Sequence, residues 1–234
     1  MMTKLKEKAD FRVSLADPLF FSMQGEGATI GRPSVFIRLM GCSVGCVWCD
    51  TKYSWSGPPV EEKTIAEILG FCEEHEGAQV VVTGGEPLES PQFPTLIEAL
   101  HSAGLRVEVE TAGHIPPTED LLERVDQWNV SPKLQSAQIS GEKQPKTLDW
   151  LRRARDAYLK FVVHRADELD EIEEVLDQYG FCDFPRNRII ISPGGKTREQ
   201  MEHRLFALAE PAMNRGFRFT PRLHVMLWGD KRGV

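Results

Sequence analysis

The sequence is short of positive charge, with 28 lysines and arginines against 35 aspartates and glutamates and a formal net charge of −7. A protein that grips a polyanion does so with a basic surface that releases counterions, so no nucleic-acid partner is expected. Also missing is any apolar run of the roughly 20 residues that cross a bilayer, and the polar start from Met1 to Asp10 has no apolar signal core. A cytoplasmic protein without a membrane partner is the expectation. Cysteine is sparse and odd in number, five in all, and three of the five crowd into positions 42 to 49. That is poor geometry for structural disulfides, and in a reducing compartment such a group reads as a metal site. No repeat, linker or low-complexity tract interrupts the chain. Its 234 residues, 41% hydrophobic and 27% charged, suit one α/β domain over 1–234 with a substantial core.

Short apolar strands alternate with helical patterns along most of the chain. Val35, Ile37 and Leu39 alternate as a strand that runs into the cysteines. Thr64 opens a helix with Glu67 in capping-box spacing, and Ile65, Ile68, Leu69 and Cys72 recur at helical intervals, which makes Cys72 a core residue. Strand 79–83, helix 95–103 closed by Gly104, and strand 106–110 follow. Then come helix 118–125, strand 128–130, a helix near 148–156 and strand 159–163. Helix 167–179, strand 188–191, a helix from Thr197 broken at Pro211, and a last strand near 223–227 complete the series. About seven strands joined in this way predict a parallel sheet curled into an incomplete or modified TIM-like barrel. The unusual residues fall just after the strands: Gly41-Cys42, Thr83-Gly84-Gly85-Glu86-Pro87, Glu110-Thr111-Ala112-Gly113, Ser131-Pro132-Lys133 and Ser192-Pro193-Gly194-Gly195. They are expected to share one face of the sheet, where barrel enzymes place their sites.

The spacing Cys42-x3-Cys46-x2-Cys49 sets three thiolates on one tight loop, suited to three irons of a cubane whose fourth iron has no protein ligand. A zinc site or a simple electron-transfer cluster would usually add a fourth ligand nearby, and no Cys or His follows until Cys72 and His75. This spacing, with Trp48 before the last cysteine, resembles the radical S-adenosylmethionine superfamily. Thr83 to Pro87 resembles that superfamily's glycine-rich segment, which holds the methionine amino group.

Outside the cysteines, Phe21 to Gly27, Phe36-Ile37-Arg38, Gly41 to Thr51, Ser131-Pro132-Lys133 and Trp228 to Val234 together resemble the 7-carboxy-7-deazaguanine synthases, and the likeness spans nearly the whole chain. The resemblance implies a carbon–nitrogen lyase that converts 6-carboxy-5,6,7,8-tetrahydropterin to 7-carboxy-7-deazaguanine with loss of ammonia, a step toward queuosine and related 7-deazapurines. It implies a [4Fe-4S] cluster on Cys42, Cys46 and Cys49, S-adenosylmethionine that is regenerated, Mg²⁺ at Thr51, an electron donor such as flavodoxin, and a homodimer. Met23, Gln24, Gly25, Glu26, Arg38 and Thr83 are expected at the pterin, with Arg38 meeting its carboxylate through two parallel hydrogen bonds. The carboxylate of Val234 is expected there as well, with Trp228 packed to anchor the segment. Trp48, Cys49, Asp50, Gly85, Ser131, Pro132 and Lys133 are expected at S-adenosylmethionine. Ser192, Pro193, Gly194 and Gly195 fall where the family has a further S-adenosylmethionine loop, although many relatives carry glutamine where this chain has Ser192.

Two other functions fit part of the pattern. A glycyl-radical activating enzyme shares the cysteine spacing but has no use for a pocket at Gln24 to Glu26. A non-catalytic metal-binding or electron-transfer module would not cleave S-adenosylmethionine. The alternatives for Arg38 and Glu26 are a surface ion pair and a solvated loop acid. His114, His164 and His224 read as structural or surface residues, and Cys182 as a packed thiol.

Overall fold

The computed structural model describes residues 10–234. The polar start therefore lies, up to Ala9, outside the described residues. Ten strands form one sheet. Seven of them run parallel in the order β3 (Pro33–Leu39), β5 (Gln79–Gly84), β6 (Val107–Thr111), β7 (Gln127–Val130), β8 (Ala157–Val163), β9 (Ile189–Pro193) and β10 (Arg218–Phe219). On the far side of β3 the pairing turns antiparallel. β1 (Arg12–Leu15) meets its end at Leu39, β2 (Phe20–Met23) pairs with its first half, and β4 (Glu61–Thr64) lies outside β1. The path ends at β4 on one side and β10 on the other, so the curled sheet is a partial barrel.

Alternation along the strands separates the two faces. Val107, Val109, Trp128, Val130, Leu159, Phe161, Ile189 and Ile191 belong to the main apolar core, against which the helices pack. Between them, Glu108, Gln127, Asn129 and Lys160 are buried on the other face. The inner face of this sheet is therefore polar, an arrangement that requires many hydrogen bonds or a ligand to satisfy it.

The helices are α1 (Ile65–Glu73), α2 (Phe93–Ser102), α3 (Glu119–Arg124), α4 (Glu168–Gln178), α5 (Arg198–Asn214) and α6 (Leu223–Trp228). At α1 the capping box is complete, with Glu67 N–H donating to Thr64 Oγ1 at 3.2 Å and Thr64 N–H donating to Glu67 Oε2 at 2.7 Å. Cys72 is buried on the same face as Ile65 and Ile68, as the periodicity requires.

Several elements differ from the sequence reading. The expected strand at 223–227 is α6, because Arg218–Phe219 takes the last place beside β9 and Pro221 then breaks the extended run. Of α6 only Val225 is buried, while Leu227 is 46% and Trp228 39% exposed, so Trp228 is not a packed anchor. The expected helix at 148–156 is reduced to one 3-10 turn, Asp149–Arg152, held by Trp150 edge-on to Trp128 at 5.3 Å. Helix α5 runs through Pro211 unbroken, with Leu208 and Ala212 buried on either side of it. Packing there outweighs the one backbone hydrogen bond that proline forgoes. Cys182 is exposed, not packed.

Candidate active site

A cavity of about 480 Å³ opens at the carboxyl ends of the parallel strands. Cys42, Gly85, Ala112, Ser131, His164 and Gly194, each within a few positions after one of β3, β5, β6, β7, β8 and β9, all line it. The strand-end segments thus share one face, as their positions in the sequence predicted.

The cysteine loop forms one wall. Cys42, Cys46 and Cys49 are free thiols at the cavity, wrapped by Val44, Trp48, Ala112, Ala137 and Ile139. Burial pushes the thiols of Cys42 and Cys46 up. Amide N–H groups of Val44 and Gly45 oppose this at Cys42, and Lys133 opposes it at Cys46. Thr51 follows directly, with its N–H donating to Cys49 Sγ at 3.4 Å and its Oγ1 3.5 Å from the same sulfur.

Glycines bring the next segment against this loop. Gly84 has φ +147°, and a Cβ there would run into the backbone of Leu39, while one on Gly85 would strike the Gly41 carbonyl and the Cys42 side chain. The seam is closed by Gly85 N–H donating to Leu39 O at 3.0 Å and Glu86 N–H to Gly41 O at 2.8 Å. Glu86 is buried and accepts from Thr111 Oγ1 at 2.6 Å and Ala112 N–H at 2.7 Å. Burial pushes its carboxyl up against these bonds.

The opposite wall is charged. Glu26 is no solvated loop acid: Lys160 Nζ lies 2.9 Å from Oε2 and Arg222 Nε 3.1 Å from Oε1. Burial pushes the Glu26 carboxyl up, but Lys160, Arg222 and His224 together overcome it and hold it well below the ordinary carboxylate range. Arg222 continues to the Gly195 carbonyl at 2.6 Å and to Asp50, tying the Glu26 loop to the cysteine loop. Leu223 N–H donates to Gly25 O at 2.7 Å, and His224 fills the space where a Cβ on Gly25 would stand. Thr83 Oγ1 donates to Glu110 Oε2 at 2.9 Å.

Beneath lies Glu108. It accepts from Gln24 Nε2 at 2.8 Å, Asn129 Nδ2 at 2.6 Å, Gln127 Nε2 at 3.1 Å and Gln79 Nε2 at 3.3 Å, and from Thr29 Oγ1. Burial and the charge of Glu110 nonetheless push its carboxyl up to about 7. Gln24, reaching Glu108 and also Glu110 at 3.2 Å, is thereby fixed at the cavity floor.

Of the residues singled out in the sequence, Met23, Gln24, Gly25, Glu26, Arg38, Trp48, Cys49, Asp50, Thr51, Thr83, Gly85, Ser131, Lys133, Gly194, Gly195 and Val234 line the cavity. Pro132, Ser192 and Pro193 are buried and do not. Arg38 is no surface ion pair. It is 18% exposed at the cavity, with Nε 3.0 Å from Asp17 Oδ2 yet out of line for a hydrogen bond. Lys160, Arg222 and Glu108 escaped the sequence reading, Glu110 entered it only as part of a strand-end segment, and His164 and His224, read there as structural or surface residues, line the cavity. The acid pair at 108 and 110, two apart on one strand and flanked by valines, was the visible signal for an inward charged face.

Comparison with known proteins then decides the family. The Radical SAM superfamily model matches residues 37–177. A 7-carboxy-7-deazaguanine synthase of Pyrobaculum aerophilum is 41% identical over 218 residues, covering 92% of this chain and 95% of that one. Its counterpart from Halobacterium salinarum is 34% identical, covering 91% and 89%. The crystal structure of QueE from Escherichia coli matches with a TM-score of 0.67 at 26% identity, covering 94% of this chain and 98% of that one. The chain belongs to the radical SAM superfamily, in its 7-carboxy-7-deazaguanine synthase family.

A radical SAM enzyme uses a [4Fe-4S] cluster and S-adenosylmethionine, and the site fits both. Three thiols stand free on one loop with an apolar wrapping. Among the described residues no three His, Cys, Asp or Glu side chains converge on a single ion, whereas a cubane takes each thiolate on a separate iron. Room for the adenosyl-bearing ligand lies beside the loop, where Lys133 Nζ sits 5.8 Å from the centre of the Trp48 ring and Trp48 Nε1 is buried with no hydrogen-bond partner. Among the described residues no helix is long and apolar enough to cross a membrane.

Proposed function

We propose that the protein converts 6-carboxy-5,6,7,8-tetrahydropterin to 7-carboxy-7-deazaguanine with loss of ammonia, in a cytoplasmic route to 7-deazapurines such as queuosine. The observation that carries this reading is one cavity with two unlike walls. Three free thiols share the cavity with a largely enclosed set made of the charged Glu26, Lys160 and Arg222 and the buried amide of Gln24. An enzyme that activates a protein backbone has no need of that second wall, which suits a small polar heterocycle.

Cys42, Cys46 and Cys49 would hold the [4Fe-4S] cluster, which would supply the electron for reductive cleavage of S-adenosylmethionine and so start radical chemistry on the substrate. The protein's part is to hold, orient and shield. Trp48, Asp50, Gly85, Ser131 and Lys133 would hold S-adenosylmethionine beside the thiols, with Gly194 and Gly195 lining the same cavity. Gln24 and Glu26 read the donor-rich pterin edge, Thr83 adds a hydroxyl from β5, and Arg38 takes the carboxylate. Because Glu26 is held ionised by Lys160 and Arg222, it accepts hydrogen bonds across the neutral pH range.

Thr51 would offer its hydroxyl to Mg²⁺, a hard cation that prefers oxygen ligands and would help to fix the substrate's carboxylate. The side chain makes no capping hydrogen bond to the turn that follows, and its hydroxyl lies 3.5 Å from Cys49 Sγ at the cavity. A flavodoxin-type protein as electron donor and a homodimer complete the proposal. The test is an anaerobic assay of the iron-loaded protein with S-adenosylmethionine, a reductant and the carboxypterin, with and without Mg²⁺. Mg²⁺-stimulated 7-carboxy-7-deazaguanine supports the reading, and loss of that stimulation in Thr51→Ala with iron content intact supports the Thr51 role. Deoxyadenosine formed without any deazapurine product sinks it.

A further inference from the structure

Asp17 lies between β1 and β2, buried at one end of the cavity, and is used by none of the roles above. Its Oδ2 accepts the Tyr53 hydroxyl at 2.6 Å and stands 3.0 Å from Arg38 Nε. Its Oδ1 accepts Arg232 Nε at 3.1 Å and a terminal nitrogen of the same guanidinium. That guanidinium lies over the Tyr53 ring, 3.5 Å from its centre, and donates to the Ala16 carbonyl at 3.4 Å. One buried carboxylate thus faces two arginines, and the local charge remains positive. Among the described residues the buried Arg38 Nε has no hydrogen-bond partner although it stands 3.0 Å from Asp17 Oδ2, so the guanidinium is held near Asp17 and still has a donor to offer an anion.

Arg232 is the exposed member of the group. Its side chain is 53% exposed, whereas Asp17 is 5% exposed and is also held by the Tyr53 hydroxyl and paired with Arg38. The segment it belongs to, Gly229 to Val234, lines the cavity.

We propose that Asp17 is a positioning residue for substrate capture, holding Arg38 for the substrate's carboxylate and, through Arg232 and Tyr53, fixing the 229–234 segment over the same end of the cavity. Binding of a carboxylated substrate and docking of the segment then reinforce each other through one shared carboxylate. The inference rests on the reading of Arg38 given above, and the experiment separates the two.

Asp17→Asn, Asp17→Glu, Arg232→Ala, the double variant Asp17→Asn with Arg232→Ala, and Arg38→Lys are prepared as anaerobic, iron-loaded proteins. KM and kcat for the carboxypterin are measured, along with deuterium exchange of the 229–234 amides with and without that substrate. Asp17→Asn is expected to raise KM about tenfold, more than it lowers kcat, because the ion pair that holds Arg38 beside Asp17 is lost. Arg232→Ala raises KM less, the double variant is no worse than Asp17→Asn alone, and Asp17→Glu recovers part of the loss. Substrate slows exchange of 229–234 in the native protein and fails to do so in Asp17→Asn and Arg232→Ala. If Asp17→Asn does not fold, Arg232→Ala decides by the same exchange readout. A raised KM in Arg38→Lys with native KM and exchange in the Asp17 and Arg232 variants overturns the proposal alone. An unchanged KM in Arg38→Lys overturns the reading beneath it and the proposal with it.

Discussion

Glu26 carries the charge balance of the substrate wall, since Lys160 and Arg222 both reach it from far along the chain, 134 and 196 positions away. Glu26→Gln removes the charge while keeping the shape, leaving two buried cations short of a partner. The expected cost is about 2 kcal/mol of stability by denaturant unfolding, together with a KM for the carboxypterin raised at least about tenfold. Affinity for S-adenosylmethionine in the iron-loaded protein is expected to stay native, and a parallel loss there would show that the two walls are not separate. Acid has the same target: the stability that Glu26 contributes is present above its ordinary value of 4.5 and is lost as pH falls through its lowered folded value. Glu108 runs the other way. With its folded value raised to about 7, its contribution is full below 4.5 and is lost as pH rises through about 7. Melting temperatures taken between pH 5 and 8 should therefore show a flatter profile in Glu108→Gln than in the native protein. An identical profile would mean that Glu108 does not titrate in that window. Among the thiols, Cys42→Ala, Cys46→Ala and Cys49→Ala are each expected to abolish iron binding and the visible cluster absorbance. Cys72→Ala keeps both at a cost of about 1 kcal/mol for a small core void, and exposed Cys182→Ala keeps both at no cost.

Two element junctions place the site. At the start of α1, Thr64→Ala removes the side-chain half of the capping box, the acceptor of the Glu67 N–H, and should cost about 1 kcal/mol in urea unfolding without changing iron content. At the seam after β5, Gly85→Ala drives a Cβ into the cysteine loop, so the protein should fold yet retain well under half of the native iron. Native iron content in Gly85→Ala would show that the loop can give way. The parallel strands β3 and β5 to β9, and α1, were legible in the sequence because their apolar periods are clean, as in Gln79 to Gly84, where every residue is buried, whereas the two-residue β10 was not. β1, β2 and β4 were not: Glu61 to Thr64 is a polar edge strand whose pairing with Arg12 to Leu15 leaves no apolar pattern to read. The stretch 223–227 misled for the opposite reason, since an apolar run of that length is compatible with strand or helix until tertiary contacts choose. The site divides in the same way. The cysteines and glycines carry local spacing, whereas Lys160, Arg222 and Asp17 acquire meaning only from partners that the fold brings near.

For the whole molecule, the polar inner face of the partial barrel and the strand-end cavity belong together. The sheet leaves Glu108, Glu110, Asn129 and Lys160 on its inner side, where Gln24 pairs with both acids and Glu26 with Lys160, so the cavity that opens there has a polar, charged lining of the kind that suits a small polar ligand. The thiols at the rim set that ligand beside a radical source. This joint arrangement is the central claim, and it is tested most directly by one measurement. The iron-loaded protein is incubated anaerobically with S-adenosylmethionine, a reductant and 6-carboxy-5,6,7,8-tetrahydropterin, and S-adenosylmethionine, ammonia and deazapurine are followed together. The account predicts 7-carboxy-7-deazaguanine and ammonia in equal amounts, over many turnovers, with S-adenosylmethionine nearly undiminished. Deoxyadenosine accumulating as S-adenosylmethionine is consumed, with the carboxypterin left intact, would contradict it.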